Sequence, residues 1–178
     1  MRDDMSTYTQ TFSGGIICPQ DPIGDEIKIE DIAHALSQQP RFGGHLREFF
    51  SVAQHCILVS HYCARRDALW GLLHDASEAY IADICRPVKK GLIGYKEAED
   101  KLMAAVCQKF GLDLVMPASV KEADDLLICL ESNQFLAPLR MEIWKHWPVD
   151  LSQFDKIVPW DWRHAEDVFL DRFKELTK

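Results

Sequence analysis

The chain has 178 residues, of which 47% are hydrophobic, and a formal net charge of −8. This length and composition predict a single compact domain over residues 1–178, and no apolar run approaches the about 20 residues that span a bilayer. The negative charge disfavours nucleic acid as a partner, because phosphate backbones bind dense Lys and Arg surfaces. A small anionic substrate fits this charge if a few cations are concentrated locally.

The N-terminus and the cysteines favour a cytoplasmic protein. The first five residues, MRDDM, are polar and acidic, unlike a signal peptide. The six cysteines form no CxxC pair, and several lie in apolar helical runs, where a free thiol behaves as a small hydrophobe. We therefore expect a cytoplasmic chain with reduced thiols rather than a disulfide framework.

The N-terminal part of the chain predicts a small hairpin followed by two helices. Residues 8–12 and 16–18 flank the turn sequence SGG, which favours a hairpin. Apolar side chains at helical spacing predict a first helix over residues 29–37. After a loop of sequence RFGGH, a second helix is predicted over residues 51–64, with Ser51 as its N-cap.

The middle of the chain continues the helical pattern. A tight turn at residues 65–67 leads into a third predicted helix over residues 68–82. Pro87 and two following glycines favour a loop. A long helix is then predicted over residues 96–110, closed by Gly111.

The C-terminal third also predicts helices. One covers residues 119–136, with Ser119 as its N-cap, and a short one covers residues 141–146. Asp161 is expected to cap a last helix over residues 162–176. The predicted fold is therefore all-α, apart from the N-terminal hairpin.

The most informative segment has the sequence GLLHDASE, over residues 71–78. His74 and Asp75 follow an apolar helical run. Burying an imidazole and a carboxylate there costs several kcal/mol unless they are paired or bound to a metal. The short turn before this segment makes the second and third helices antiparallel neighbours, which brings His55 within side-chain reach of His74.

Asp124, on a later helix, completes a set of four ligands with His55, His74 and Asp75. Two imidazoles and two carboxylates suit a divalent transition metal, namely Co, Mn, Ni, Fe or Zn, better than Mg. An octahedral ion would keep two positions for water and substrate. Against this, each of these residues taken alone is more often a surface or hydrogen-bonded residue than a ligand, and an adjacent His–Asp pair is common by chance.

At residues 52–55 (VAQH), 71–78 (GLLHDASE) and 120–124 (VKEAD), the chain resembles the HD-domain metal-dependent phosphohydrolases. Within them it looks most like bacterial 5′-deoxynucleotidases and phage nucleotide hydrolases, sharing the pattern HDASE…D…PVK. The resemblance implies an HD-domain helical bundle with its core at about residues 29–136 and a C-terminal helix at about 162–176. It also implies a homo-oligomer, expected to be a dimer.

By this resemblance the four residues above are metal ligands, and Glu78 and Asp75 are catalytic. The remaining matched positions are expected to bind substrate: Arg41, Phe42, Asp83, Lys89 and Lys121. Asp83 corresponds to a position near the sugar, the two lysines to positions near the phosphate, and Arg41 with Phe42 to an Arg–aromatic pair. The shorter separation of His55 from His74 and the N-terminal hairpin depart from the best-known nucleotidases.

Each of these roles has a structural alternative. Glu78 can be a solvated first-turn glutamate, and Asp83 can simply end a helix. The two lysines can be solvated, and Arg41 with Phe42 can serve only the glycine turn that follows them. Glu78 is nevertheless four residues after His74, so a continuous helix would present both from one face.

The sequence thus predicts a phosphohydrolase of nucleotides, acting on deoxynucleoside 5′-monophosphates without a covalent enzyme intermediate. Three alternatives stay open. One is a dNTP triphosphohydrolase, another is a nucleotide-binding HD protein without turnover, and the third is an acidic scaffold without bound metal.

Overall fold

The computed structural model describes residues 5–138 and 150–178. In this part of the chain the fold is helical, apart from an antiparallel hairpin of β1 (Thr9–Gln10) and β2 (Ile16–Ile17). The helices are α1 (Ile29–Gln38), α2 (Val52–Tyr62), α3 (Ala68–Leu73), α4 (Glu78–Ile81), α5 (Arg86–Lys89), α6 (Tyr95–Phe110), α7 (Ala118–Phe135) and α8 (Trp162–Leu176). The predicted all-α fold with a small hairpin is confirmed. The helix predicted over residues 141–146 lies outside the described residues.

Helix α2 lies at the centre of the bundle and packs against α1, α3, α7 and α8. Most of its residues are buried, which agrees with a helix that is apolar on nearly all sides. Ser51 caps it as predicted, since its side-chain oxygen accepts a hydrogen bond from the Gln54 backbone N–H at 3.1 Å. Because α2 contacts four other helices, a polar side chain on it can meet groups from several of them.

The third predicted helix is interrupted, which corrects the sequence-based expectation. Helix α3 ends at Leu73, residues 74–77 form a turn, and α4 begins at Glu78. Backbone bonds in the turn run from residue i+3 to residue i, as from Ala76 N to Leu73 O at 3.0 Å. The dihedral angles of His74 and Ser77, at the two ends of the turn, are close to helical values, so the spacing of apolar residues gives no sign of the break. His74 therefore lies in the turn and Glu78 is the first residue of α4, so the single continuous helix predicted to carry both is interrupted.

Two further local predictions were wrong. The segment after Cys85 contains the one-turn helix α5 instead of a continuous loop, with Pro87 in its first turn, where a missing N–H costs nothing. Ser119 does not cap α7, which begins one residue earlier, after Pro117. Its hydroxyl instead donates to Asp67 Oδ2 at 2.5 Å and ties α7 to the start of α3.

All six cysteines are free thiols, and Cys85 alone among them is exposed. None of the helices in the described ranges combines the length and the hydrophobicity that a bilayer crossing requires.

Helix α8 begins after Asp161, whose side chain accepts hydrogen bonds from the backbone N–H groups of Arg163 and His164. The predicted cap is confirmed, and α8 closes the bundle against α1, α2 and α3.

Gly71 allows α2 and α3 to approach closely. A Cβ atom at this position would lie 2.9 Å from Cys63 Sγ and 3.0 Å from Ser60 Cα, both at the C-terminal end of the α2 region. Such contacts are shorter than van der Waals separation, and one of the two partners is backbone. The glycine therefore fixes how near the His74 turn lies to α2.

We expect Gly71→Ala to destabilise the protein, although alanine favours helices by about 0.8–1.0 kcal/mol over glycine. Overpacking against a rigid backbone costs about 1–3 kcal/mol, and each kcal/mol lowers Tm by about 2–4 °C for a chain of this size. Thermal unfolding followed by circular dichroism measures this. Gly91→Ala is the control, because its new Cβ would meet only Val88 O at 3.6 Å. An unchanged Tm for Gly71→Ala would contradict the close approach.

Candidate metal centre

Two buried imidazoles meet between α2 and the turn after α3. His55 has 0% and His74 5% relative exposure, and their ring centroids lie 5.2 Å apart. His55 comes from the first turns of α2, whereas His74 follows the last residue of α3. The short connection between the two helices makes them antiparallel neighbours, as the sequence predicted.

Each imidazole uses its Nδ1 atom within the protein. His55 Nδ1 lies 2.6 Å from Glu131 Oε1, and His74 Nδ1 lies 2.8 Å from the carbonyl oxygen of Gly71. A carbonyl oxygen only accepts hydrogen bonds, so Nδ1 of His74 carries the proton. A carboxylate favours the same tautomer for His55. In the neutral form of both rings, the lone pair is then on Nε2.

The two Nε2 atoms are buried and have no hydrogen-bond partner among the described residues. A buried polar atom without a partner costs about 1–3 kcal/mol, and two at one place call for an explanation. Donor atoms of His55, His74 and Asp75 lie within 4.8 Å of one another. Imidazole nitrogen and carboxylate oxygen are suitable ligands for a divalent transition metal, so these three residues could bind such an ion.

Asp124, the fourth predicted ligand, reaches the same place from α7. Its Oδ1 atom lies 3.2 Å from His55 Nε2 and 4.0 Å from His74 Nε2. Asp75 Oδ2 lies 3.3 Å from His74 Nε2 and 4.0 Å from His55 Nε2. Both carboxylates therefore face the two nitrogen atoms that lack hydrogen bonds.

The charges of this cluster perturb one another strongly. Burial would raise the pKa of Asp75, but His74 and Arg41 lower it far below its ordinary value. Burial likewise opposes charge on His74, yet the neighbouring Asp75 carboxylate raises the pKa of the ring well above its usual value. A proton on His74 Nε2 would compete with a metal ion for the same lone pair.

A cavity of about 340 Å³ opens beside the cluster, within the range of about 300–1,000 Å³ of ligand sites. Of the described residues, those that line it with charge are Asp75, Glu78, Asp83, Asp124, Arg41, Arg86 and Lys89. Phe42 adds an aromatic ring. A larger depression of about 980 Å³ lies elsewhere, near the N-terminal segment, and none of the candidate ligands lines it.

Arg41 lies in the cavity wall but is already paired. Its Nε atom lies 3.3 Å from Glu131 Oε2, and one terminal nitrogen lies 3.5 Å from Asp75 Oδ2. These carboxylates raise the pKa of the guanidinium further, against the effect of burial. Phe42 next to it has φ 54° and ψ 33°, a left-handed conformation that is uncommon for a bulky residue. Strain of this kind concentrates at functional sites.

Glu78 faces the cavity beside Lys89. Lys89 Nζ donates to Glu78 Oε1 and to Glu99 Oε1, each at 3.0 Å. The other oxygen of Glu78 is buried and has no hydrogen-bond partner among the described residues. Burial, together with the charges of Asp75 and Asp83, raises the pKa of Glu78 well above its ordinary value. A carboxyl group with a raised pKa and one oxygen without a hydrogen-bond partner is suited to proton transfer.

Asp83 lines the same cavity from the loop after α4, because Ala82, with φ 65°, turns the chain out of the helix. Burial raises the pKa of Asp83. The side chain of Gln39 clamps this loop: its Nε2 donates to the Glu78 carbonyl oxygen at 3.0 Å, and its Oε1 accepts from the Asp83 N–H at 2.9 Å. One amide thus fixes the backbone on both sides of α4.

Lys121 is not among the residues that line the cavity. It is half exposed, forms an ion pair with Asp125, and has its Nζ 3.8 Å from Asp124 Oδ2. By contrast, Arg86 lines the cavity with a side chain that is 68% exposed, and its terminal nitrogen lies 3.9 Å from Asp124 Oδ2. Sequence reasoning did not single out Arg86, because one arginine before a Pro-Val-Lys run carries no distinctive spacing.

Glu131 and Gln39 were missed as well. Glu131 is fully buried and contacts both His55 and Arg41. It lies seven residues after Asp124, which is two turns of α7, and that spacing was the available signal. Gln39 follows the end of α1 and had no signal, since glutamines at helix ends are usually solvated.

The chain is similar to proteins of two bacteria. It is 36% identical over 176 residues to the uncharacterized protein YfdR of Escherichia coli K12, with 97% of each chain covered. The chain belongs to the same family as YfdR. An uncharacterized protein of Rhodobacter capsulatus is 41% identical over 141 residues, covering 71% of this chain and 72% of that one. No family profile matches the chain.

Proposed function

We propose that the chain is a metal-dependent phosphohydrolase that removes phosphate from nucleotides, with deoxynucleoside 5′-monophosphates as substrates. One observation carries the proposal. Two buried Nε2 atoms without hydrogen-bond partners, from His55 and His74, face Asp75 and Asp124 beside a charged cavity. The resemblance of the same residues to the HD-domain phosphohydrolases supports this choice of reaction.

In this proposal His55, His74, Asp75 and Asp124 hold a divalent transition metal from the group Co, Mn, Ni, Fe and Zn. When bound, such an ion polarises a phosphoryl oxygen and lowers the pKa of water. The protein contributes fixed ligand orientation, because both imidazoles are held at Nδ1 before any ion binds. Burial of the two imidazoles strengthens the electrostatic contacts that they make at the site.

Glu78 is the proposed group for proton transfer. Glu78 lines the same cavity as Asp75, and its second oxygen is buried without a hydrogen-bond partner among the described residues. Its raised pKa favours uptake of a proton from the attacking water. Lys89 holds the other oxygen and sets the orientation of the carboxylate. After attack, the same carboxyl can give the proton to the leaving 5′-oxygen, so no covalent bond to the protein is required.

The charges in the cavity favour a substrate with one phosphate. Arg41 is paired with Glu131 and Asp75, and Lys89 with Glu78 and Glu99. Among the described lining cations, Arg86 alone has a mostly exposed side chain. A triphosphate would need more free cations beside the metal. Phe42 is positioned at the cavity wall, where a ring can stack on a base.

We expect Arg86→Ala to raise KM for a nucleoside monophosphate by about 10–150-fold, because a lost hydrogen bond to a charged group costs about 1.5–3 kcal/mol. Steady-state kinetics with release of inorganic phosphate measures this. Lys121→Ala should change KM less than twofold, since its side chain lies outside the cavity lining. A larger increase in KM for Lys121→Ala than for Arg86→Ala would assign the phosphate contact to Lys121, as the resemblance implies.

The proposed function is tested by a hydrolysis panel over nucleoside mono- and triphosphates, with each metal supplied in turn to chelator-treated protein. The expected result is free phosphate from dAMP and no triphosphate from dATP. Triphosphate release would favour the triphosphohydrolase instead. Nucleotide binding to the metal-loaded protein without any turnover would leave only a binding function.

A further inference from the structure

We propose that Glu131 is a positioning residue of the metal centre, which holds His55 in the tautomer and orientation that a metal requires. This inference rests on the metal site of the proposed function but not on the reaction. Its basis is a contact that neither the predicted ligand set nor the family resemblance included. Glu131 Oε1 lies 2.6 Å from His55 Nδ1, and both side chains are fully buried.

The hydrogen bond determines what His55 can do. A glutamate oxygen that accepts from Nδ1–H leaves the Nε2 lone pair pointing away, toward Asp124 and Asp75. If Nε2 carried the proton instead, the ring would have no free electron pair at the metal position. Carboxylates on the far nitrogen of a metal-binding histidine act in this way, and they also make the ring a stronger ligand.

The position of Glu131 on α7 links this support to another ligand. Asp124 and Glu131 are seven residues apart, so two turns of one helix present both to the same side. Asp124 Oδ1 lies 3.2 Å from the Nε2 edge of the His55 ring, while Glu131 contacts its Nδ1 edge. Helix α7 therefore holds the ring at both nitrogens.

Arg41 extends the same network to the other side of the site. Its Nε lies 3.3 Å from the second oxygen of Glu131, and its guanidinium also reaches Asp75 at 3.5 Å. A buried carboxylate without a counter-charge would be very costly, and Arg41 supplies that charge. The result is a continuous chain of contacts from His55 through Glu131 and Arg41 to Asp75, which joins two ligands from separate segments.

A purely structural role would not need this arrangement. Buried ion pairs contribute little net stability compared with well-packed apolar residues, so stability alone gives weak reason for a Glu–Arg pair here. The pair instead ends on a histidine whose opposite nitrogen is buried and lacks a hydrogen bond. The contact thus acts on the metal position rather than on the core in general.

The test is metal affinity, measured by calorimetric titration of Mn²⁺ and Co²⁺ into chelator-treated protein. Glu131→Gln should raise the Kd for metal by about 10–100-fold, the usual cost of losing a group that hydrogen-bonds a metal ligand. It should also alter the visible absorption of the Co²⁺ form. Glu131→Asp, which keeps the charge, should restore part of the affinity. Glu166→Gln is the matched control, since Glu166 Oε2 lies 3.1 Å from His34 Nδ1, outside the candidate metal centre. The Kd of this variant for metal should equal that of the wild type.

A folded Glu131→Gln variant with the wild-type Kd and Co²⁺ spectrum would overturn the inference. If the variant does not fold, nitrogen NMR of the Zn²⁺-loaded wild type decides instead: His55 should show a proton on Nδ1 and coordination through Nε2. Coordination through Nδ1, or no metal binding at all, would also overturn it. Metal binding that depends on Glu131 without nucleotide hydrolysis would refute only the proposed function.

Discussion

Asp75→Ala is expected to abolish hydrolysis and to weaken metal binding by more than 100-fold. Asp75 Oδ2 lies 3.3 Å from His74 Nε2 and 4.0 Å from His55 Nε2, so all three atoms can contact one ion. Loss of a hydrogen-bonding partner outside the coordination shell already costs about 10–100-fold, so loss of a ligand should cost more. Calorimetric titration and phosphate release from dAMP measure the two effects.

A thermal measurement separates the loss of metal from a loss of structure. At 100 times Kd, a ligand that binds only the native state stabilises it by about 2.7 kcal/mol. For a chain of this size that corresponds to a rise in Tm of about 5–10 °C. The wild type should show this rise with metal, whereas Asp75→Ala should unfold cooperatively at a Tm that metal does not change.

Asp125→Ala is the matched control for this experiment. Asp125 follows the candidate ligand Asp124 on α7, but its side chain is 34% exposed and pairs with Lys121. The same substitution there should leave metal affinity, hydrolysis and the metal-dependent rise in Tm unchanged. If Asp75→Ala kept the wild-type metal affinity, Asp75 would not be a ligand, and the proposed centre would have to be abandoned.

The parts of the site that the sequence could predict are those that depend on short-range geometry. The tight turn between α2 and α3 implies antiparallel neighbours, and this alone brings His55 next to His74. Ser51 and Asp161 were recognisable as N-caps because the capping preference is a local property of the backbone. The predicted all-α fold follows from apolar spacing that repeats along most of the chain.

Other features depend on tertiary contacts that no local pattern encodes. The break after Leu73 keeps nearly helical dihedral angles, so periodicity could not detect it. The seven-residue spacing puts Glu131 on the same side of α7 as Asp124, but its contacts with Arg41 and His55 come from distant segments that the spacing does not indicate. Lys121 was expected beside the phosphate from the resemblance, yet Arg86 and Lys89 of α5 line the cavity and Lys121 does not. The residues that line a cavity are determined by how the helices pack together. Residue spacing within one helix does not describe that packing.

Glu78→Gln is expected to lower kcat by about 10²–10⁴-fold, the usual contribution of a general acid or base. Metal affinity should stay within a few-fold of wild type, because Glu78 is not one of the candidate ligands. The amide keeps the size of the side chain and its hydrogen bond to Lys89, but it cannot take up a proton. Single-turnover hydrolysis of dAMP at saturating metal measures the loss in the chemical step.

The pH dependence provides a second readout. Burial and the charges of Asp75 and Asp83 raise the pKa of Glu78 above the ordinary value of about 4.3. A base must be deprotonated to act, so kcat/KM of the wild type should fall as the pH falls through that raised pKa. In Glu78→Gln the acidic limb that follows the pKa of Glu78 should disappear. A separate decrease, caused by protons that compete with the metal for the histidine ligands, should remain.

Glu99→Gln separates the proton-transfer role from the ion pair with Lys89. Glu99 contacts the same Lys89 Nζ at the same 3.0 Å, but it is not among the residues that line the cavity. If Glu78 acted only by pairing with Lys89, both substitutions should change kcat by similar, small factors and leave the acidic limb in place. A large loss confined to Glu78→Gln, with loss of the limb, assigns proton transfer to Glu78, because the two glutamates differ in their access to the substrate and not in their contact with the lysine.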